Sequence, residues 1–233
     1  MDFPDPLVRG QLVRRYKRFL ADVLLESGEL VVAHCANPGA MLGVAPEGGE
    51  VWLSPAPGPK RKLAWSWQLV RVGDGLVGIN TSWPNLLAEE AIRAGVIPEL
   101  AGYGSLRREV RYGRNSRIDL LLEAEGRPTC YVEVKNVHLS RGDGLAEFPD
   151  CVTQRGAKHL LELADMVAGG ARAVMLFVVQ RDDCDRFRTA EDFDPTYHAG
   201  LKVAIAAGVE VLVYSCRVTI EGIRIARKLE LLA

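Results

Sequence analysis

The sequence has no excess of charge of either sign, with 29 Lys and Arg against 30 Asp and Glu and a formal net charge of −1. The first 80 residues are equally balanced, with nine basic and eight acidic residues. A strongly basic net charge, which draws many proteins to nucleic acid, is therefore excluded. Any nucleic-acid-binding surface must be a local patch.

Cysteine pairs and long apolar runs are absent as well. Five cysteines occur, none with C-x-x-C spacing, and an odd number fits neither a disulfide framework nor a zinc site. No apolar run approaches the length that crosses a membrane, and the opening MDFPDPLVRG lacks the apolar core of a signal peptide. We therefore expect a cytoplasmic protein with no membrane partner.

The first 80 residues contain short apolar stretches separated by turn signals, among them Ser27-Gly28 and Asn37-Pro38-Gly39. The predicted strands are Arg14–Leu25, Glu29–His34, Glu50–Leu53, Leu63–Val70 and Leu76–Asn80. Five short strands in about 80 residues indicate a small barrel, and the OB-fold is the commonest five-stranded barrel. We therefore predict an OB-like nucleic-acid-binding domain over residues 1–80.

The pattern changes after residue 80, where helical and strand-like segments alternate. Helices are predicted after Pro84, over Asp150–Val167 and over Pro195–Ala207. The predicted strands are Leu106–Tyr112, Ser116–Glu123, Thr129–Val137, Ala171–Val179 and Val209–Tyr214. This order is typical of an α/β domain with a central mixed sheet, and we assign it to residues 81–233.

Asp119, Glu133 and Lys135 lie in two largely apolar strands. Period-two alternation places Glu133 and Lys135 on one face, and a hairpin would bring Asp119 close to Glu133. Two adjacent carboxylates suit Mg²⁺, which activates a bound water and clamps a phosphate oxygen, while a lysine stabilises the developing charge. Alternatively, a Glu and a Lys two residues apart form a solvated face with a cross-strand ion pair.

The helix after Pro84 adds a third carboxylate. Its predicted inward stripe consists of Leu86, Leu87, Glu90, Ala91 and Ala94. Glu90 would then face the core and ligate a metal, whereas Glu89 would form a surface pair with Arg93 four residues later. The alternative for Glu90 is an ion pair with a buried arginine such as Arg117.

Several segments resemble known families. The Asp119, Glu133 and Lys135 spacing, preceded by a helical glutamate, is similar to the PD-(D/E)xK nuclease superfamily, with Ile118 in place of the proline in its name. YKRFLADV, CANPGAM, KRKLAW, SRIDLLLE, CYVEVKNVHL and FPDCVTQRGAKHL resemble the sugar fermentation stimulation protein A family over essentially the whole chain. The resemblance implies an OB-like domain, a restriction-endonuclease-like domain and DNA binding.

The resemblance also implies roles for individual residues. Asp119, Glu133 and Glu90 would hold the metal, the Val134 carbonyl would be a further ligand, and Lys135 would position the attacking water. Related nucleases place a polar residue at the start of the next helix, so we expect Gln154 or Arg155 at the site or on the phosphate. Lys158 and His159 are predicted to face solvent or the core without a metal role.

Two basic clusters interrupt the nearly neutral first domain. They consist of Arg14, Arg15, Lys17 and Arg18 in RRYKRF, and of Lys60, Arg61 and Lys62 after a Pro- and Gly-rich loop. Basic residues that follow phosphates and aromatic residues that stack on bases are used by OB-type surfaces. For Phe19, Trp65 and Trp67, the alternative is a place in the barrel core, and it is favoured for the two tryptophans.

The first functional hypothesis is a Mg²⁺- or Mn²⁺-dependent deoxyribonuclease that binds DNA. The second is a DNA-binding regulator, by resemblance of sugar metabolism genes, that retains the nuclease scaffold without catalysis. A third is hydrolysis of a small nucleotide, for which the basic clusters would be irrelevant. The sequence leaves the oligomeric state open, including a homo-oligomer.

Overall fold

A computed structural model describes residues 1–56, 58, 62–113, 115–142 and 144–232 of the chain. Lys60 and Arg61, two of the predicted phosphate contacts, lie outside the described residues. The bounds, pairings and contacts below refer to the described part.

Six strands form the N-terminal sheet. They are β1 (Val8–Tyr16), β2 (Leu20–Leu25), β3 (Leu30–Cys35), β4 (Glu50–Pro55), β5 (Trp65–Val72) and β6 (Gly75–Gly78). The order is β3-β2-β1-β4-β5-β6, and a further pairing between β3 and β5 closes the first five strands into a barrel. Closure removes the exposed edges of the sheet. The predicted five-stranded OB-like barrel is confirmed.

The predicted strand over Arg14–Leu25 is wrong, because two strands and a tight hairpin occupy this region. The chain turns at Lys17 and Arg18, whose φ values are +47° and +65°. Both residues therefore project from a turn instead of alternating along a strand. The first strand also begins earlier than predicted, at Val8, where the mixture of polar and apolar residues has no clear period.

The barrel interior is filled by apolar side chains that alternate with outward-facing ones. Trp67 is fully buried there, with Leu12, Val23 and Leu53, and Trp65 packs against the same cluster. The core interpretation of these two tryptophans is confirmed. Phe19 instead lies in the turn before β2 and is exposed, so the core alternative is wrong for it.

The remaining chain forms a mixed sheet, three helices and a small second sheet. The helices are α1 (Pro84–Arg93), α2 (Gln154–Ala168) and α3 (Pro195–Ala206). The large sheet contains β7 (Ser105–Tyr112), β8 (Ser116–Glu123), β9 (Cys130–Val137), β12 (Arg172–Val179), β14 (Glu210–Val218) and β15 (Ile223–Lys228). The small sheet contains β10 (Leu139–Ser140), β11 (Leu145–Phe148), β13 (Arg186–Thr189) and β16 (Glu230–Leu231).

The large sheet has the order β15-β14-β12-β9-β8-β7, with parallel β9, β12 and β14 at its centre. Val132 and Val134 of β9 pack in a cluster with α1, whereas Tyr131 and Val137 pack in a second cluster with α2 and α3. The predicted alternation along β9 is therefore confirmed, and it directs Glu133 and Lys135 toward α2. The four strands of the small sheet were not predicted, because they have only two to four residues each.

The barrel and the large sheet share packing and hydrogen bonds. Trp52 and Leu69 of the barrel belong to the same buried cluster as α1. The backbone N–H of Gly78 donates to the Gln180 carbonyl at 2.8 Å. A domain boundary after residue 80 stays a prediction. Across the described ranges, no helix has both the length and the apolar character required to span a bilayer.

Candidate active site

Strands β8 and β9 separate at the position of the predicted carboxylates. Their antiparallel pairing consists of three residue pairs, and the last of these, on the side of Asp119, joins Leu120 with Val132. Beyond this point the Val134 N–H donates to Oδ2 of Asp119 at 2.8 Å, so a side chain replaces the strand partner. Because the N–H and C=O of one strand residue point to the same side, the Val134 carbonyl also faces this gap.

Asp119 is held from two sides. Its Oδ1 accepts a hydrogen bond of 2.7 Å from Nδ2 of Asn85 in the first turn of α1. Burial, and next the negative charge of Glu133, raise the pKa of Asp119 to about 6. Two hydrogen-bond donors only partly offset these effects. The two carboxylates are therefore close enough to interact, as the hairpin prediction required.

Glu133 is almost fully buried, at 2% exposure, and its two oxygens differ. Oε1 lies 2.7 Å from Nζ of Lys135 and also contacts Nδ1 of His159. Oε2 is buried and has no hydrogen-bond partner among the described residues. Burial raises the pKa of Glu133, but the hydrogen bond with His159 and the Lys135 charge outweigh it, so the net direction is downward.

His159 is one of the site residues that the sequence interpretation missed. It lies in α2 with 4% exposure, and its Nδ1 is 3.4 Å from Nζ of Lys135. Arg155 approaches the other ring nitrogen at 3.3 Å, so α2 contributes a chain of basic groups that ends at Glu133. In α2 Leu160 is buried and its neighbour Leu161 is 63% exposed, so the buried face of the helix is the one that contains His159.

Gln154 and Arg155 differ in their connection to the site. Arg155 is exposed and reaches Glu133 through His159, whereas Gln154 is exposed at the first residue of α2. Within the described part of the chain, no hydrogen bond joins the Gln154 side chain to Asp119, Glu133 or Lys135. Arg155 is therefore the residue that connects the start of α2 with the site.

Glu90 does not face the site, which corrects the predicted helical phase. Its carboxylate is exposed and pairs with the Met1 amine at 2.6 Å. The buried face of α1 instead contains Leu87, Ala88 and Ala91, and consecutive helical residues differ by 100°. Asn85 is thus the α1 residue that contacts Asp119. Arg117, the alternative partner of Glu90, is exposed.

Glu89 lies on the same side of α1 as Asn85, four residues later. It pairs with Arg93 at 3.0 Å, which confirms the predicted surface pair, and with Arg108 of β7 at 3.7 Å. Its side chain is 22% exposed, less than half the exposure of Glu90.

Two tyrosine hydroxyls near the carboxylates are buried and have no hydrogen-bond partner in the described ranges. They belong to Tyr112 and Tyr197. Burial and the charge of Glu133 raise the pKa of both phenols. Both hydroxyls therefore stay neutral in the protein. No sequence pattern marked these residues, because each comes from a distant element and looks like an ordinary core aromatic.

The oxygens around the gap fit a divalent cation. Among the described residues, no group of three or more His, Cys, Asp and Glu side chains is arranged to hold a metal. Mg²⁺ commonly binds one or two carboxylates and keeps several waters. Asp119 and Glu133 provide this number of carboxylates, and the unpartnered Oε2 of Glu133 is the kind of buried acceptor that a cation satisfies.

The basic residues of the first cluster are largely used inside the barrel. Arg14 pairs with Asp22 at 2.7 Å. Arg15 donates to three backbone carbonyls, including those of Asn37 and Gly39, and so holds the predicted turn at Asn37-Pro38-Gly39. Arg18 donates to the Pro38 carbonyl at 3.2 Å.

Some of the barrel's predicted phosphate contacts stay available on the surface. Lys17, Arg18 and Lys62 are exposed, the first two at the β1–β2 turn. The turn segment after Asn37 leads to Met41, whose N–H donates to Oδ2 of Asp150 just before α2. The barrel therefore contacts the segment that introduces Arg155.

Known proteins match the whole chain. One family model, described as the sugar fermentation stimulation protein RE domain, matches residues 82–222, and the SfsA N-terminal OB domain model matches residues 13–79. The chain belongs to the sugar fermentation stimulation protein (SfsA) family.

Relatives named sugar fermentation stimulation protein homolog support the same membership. The one from Rhodospirillum centenum is 61% identical and covers 100% of both chains. The one from Caulobacter vibrioides is 52% identical over 98% of this chain and 96% of its own. The solved structure of Pyrococcus furiosus SfsA in complex with Ca²⁺ matches with a TM-score of 0.91 and 27% identity, covering 100% of this chain and 98% of that one.

Proposed function

We propose that the chain is a DNA-binding phosphodiesterase that requires Mg²⁺ or Mn²⁺. The observation that carries the proposal is the gap between β8 and β9, which Asp119 lines beside the buried carboxylate of Glu133. Buried carboxylates without a cation are costly, and the unpartnered Glu133 oxygen adds to that cost. The Ca²⁺ complex of the Pyrococcus furiosus protein supports a divalent ion at this fold.

The residues around the gap have separable roles in this proposal. Asp119, oriented by Asn85 and Val134, and Oε2 of Glu133 would hold the cation, which supplies a Lewis acid when bound. Lys135 holds and orients the attacking water and stabilises the charge that develops on the phosphate. His159 and Arg155 position Glu133, and the exposed guanidinium of Arg155 is placed to bind a phosphate.

DNA is the proposed substrate because exposed basic groups occur on the barrel and at the start of α2. Lys17 and Arg18 of the barrel and Arg155 of α2 are linked through the contact of Met41 with Asp150. Such cations bind the phosphate backbone without reading its sequence. The net charge of −1 requires this binding to be local, and raised salt should weaken it.

The test is cleavage of single-stranded, duplex and branched DNA by the purified chain with Mg²⁺ or Mn²⁺. We expect cleavage by the native chain and none by Asp119→Asn. Salt-dependent DNA binding without cleavage under any of these conditions would favour the DNA-binding regulator instead. Cleavage of mononucleotides alone would favour the small-nucleotide hydrolase.

A further inference from the structure

A pocket of about 850 Å³ lies outside the carboxylate site, between the barrel and the start of α1. Its floor is the outer surface of the barrel, and its walls come from the N-terminal segment and from the residues that precede α1. This volume is within the range of pockets that bind cofactors and other small ligands.

The pocket floor is a row of polar side chains across three strands. Ser66 of β5 is in register with His34 of β3 on one side and with Ser54 of β4 on the other. Gln68 follows two residues later on the same face, while Trp67 between them points into the barrel core. Strand alternation therefore places polar groups outside the barrel, where the segment before α1 buries them.

A network of neutral hydrogen bonds orders this floor. Oε1 of Gln68 accepts from Asn80 at 2.9 Å and from the Trp83 indole at 2.8 Å, and its Nε2 donates to Ser54 at 2.9 Å. The acceptor of Gln68 is thereby fully used. The second Nε2 hydrogen of Gln68, the hydroxyl hydrogen of Ser54 and the ring nitrogens of His34 have no partner among the described residues.

The walls and rim add aromatic surface and a cation. The rings of Phe3 and Trp83 meet edge to face, with centroids 6.5 Å apart. Lys62 lies at the rim and is exposed, and the exposed carboxylate of Asp5 also lines the pocket. Aromatic walls around fixed amide and hydroxyl groups suit a flat ring with hydrogen-bonding edges.

We propose that this pocket binds a nucleobase whose attached phosphate is held by Lys62. Gln68, Ser54 and His34 provide the hydrogen bonds to the edge of the base, and Phe3 with Trp83 provides the apolar contact. Asp5 opposes a second phosphate nearby and accepts from a base amino group. The base belongs either to a free mononucleotide or to an unpaired position of a DNA strand.

The position of the pocket relative to the carboxylates favours a strand as the source, a choice that rests on the proposed function. Trp83 in the pocket wall and Asn85, which donates to Asp119, are two residues apart. Their Cα atoms are therefore at most about 7 Å apart. A strand with one base in the pocket would pass the gap between β8 and β9 with its neighbouring phosphate.

The experiment is calorimetric titration of the full chain without metal, using deoxyadenosine, deoxyadenosine monophosphate, inorganic phosphate and two short single strands. One strand carries bases and the other has the same length but is abasic. Ser82→Phe blocks the pocket from an exposed lining position, and Lys62→Ala removes the rim cation. Lys202→Ala, which removes an exposed cation of α3, is the matched control.

We expect base-dependent binding that Ser82→Phe weakens by roughly tenfold or more. Lys62→Ala should weaken binding of the nucleotide and leave binding of the nucleoside deoxyadenosine unchanged. Lys202→Ala should bind both like the native chain. Binding of the mononucleotide assigns a free nucleotide as the source. Preference for the base-bearing strand without mononucleotide binding assigns a strand position.

The proposal is overturned if neither the mononucleotide nor the base-bearing strand shows base-dependent binding. It is also overturned if Ser82→Phe binds like the native chain while its thermal midpoint shows that it is folded. Cleavage by the native chain in that case would leave the proposed function intact. Base-dependent binding together with intact DNA in every cleavage assay would support the pocket and contradict the proposed phosphodiesterase function.

Discussion

Two regions of the molecule each bury a group of polar side chains. They differ in whether these side chains are neutral or charged. The pocket at the barrel contains neutral groups of Gln68, Asn80 and Ser54 that satisfy one another. Beside the gap between β8 and β9 lie the carboxylates of Asp119 and Glu133. Oε2 of Glu133 has no hydrogen-bond partner in the described part of the chain. In the pocket the groups are neutral, whereas beside the gap a buried, charged carboxylate keeps an unpartnered oxygen, which is why we propose the cation and catalysis there.

The largest expected effect separates activity from stability at Asp119. Asp119→Asn should lower metal-dependent cleavage by roughly a thousandfold or more, because about 4 kcal/mol of transition-state stabilisation depends on the ionised ligand. It should not lower the free energy of unfolding at pH 7 without metal. Cleavage rates and urea titrations of both proteins measure the two effects.

The pH dependence of stability provides the control for that variant. The pKa of Asp119, raised to about 6, lies above its unfolded value, so the folded state binds the extra proton and stability falls as pH rises from about 4 to about 6. In Asp119→Asn this contribution to the slope should be absent. A native chain that gains stability across this window relative to the variant would contradict the geometry.

In the neutral network around Gln68, in contrast to Asp119, a substitution should lower the free energy of unfolding. Gln68→Leu leaves the Asn80 amide and the Trp83 indole without their acceptor, so we expect a loss of about 2 kcal/mol in the free energy of unfolding. Urea titration measures the loss, and an unchanged midpoint would show that water replaces the amide at no cost.

Asp150 is a partly buried carboxylate that, unlike Glu133, has His138 and a backbone N–H beside its Oδ2. Burial raises its pKa, but His138, 3.3 Å away, and the Met41 N–H outweigh burial and lower it to about 2. Its stabilising contribution is therefore present above about pH 4 and is lost as pH falls toward 2, the opposite direction from Asp119.

Asp150→Asn should accordingly reduce the free energy of unfolding by about 1–2 kcal/mol at pH 5 and by much less near pH 2. Urea titrations of the native chain and the variant at both pH values give this difference. Equal losses at both pH values would mean that Asp150 acts through packing and not through its charge.

The smallest effect is expected at Glu90. Glu90→Gln removes an exposed ion pair with the Met1 amine, so stability should change by about 0.5 kcal/mol or less and cleavage should stay at the native rate. Cleavage rate at saturating metal is the readout. A tenfold loss would place Glu90 back among the metal ligands, against its observed orientation.

Much of the fold followed from local patterns. The alternation in β9 correctly separated Glu133 and Lys135 from Val132 and Val134, since strand periodicity is an exact consequence of backbone geometry. Helical phase was less reliable, because α1 and α2 each have several adjacent apolar residues and more than one plausible stripe. A shift of one residue turns a helix by 100°. For this reason the predicted inward face of α1 included Glu90 and not Asn85, and His159 of α2 was not assigned to the site.

The sequence by itself determined a barrel of short strands followed by a mixed sheet, and the convergence of Asp119 with Glu133. These depend on periodicity and on turns, which are local properties of the chain. Only the tertiary structure decided that the strands part beyond Leu120, that His159 meets Glu133 and that most barrel arginines pair internally. These contacts join residues far apart in sequence, and packing between elements sets them.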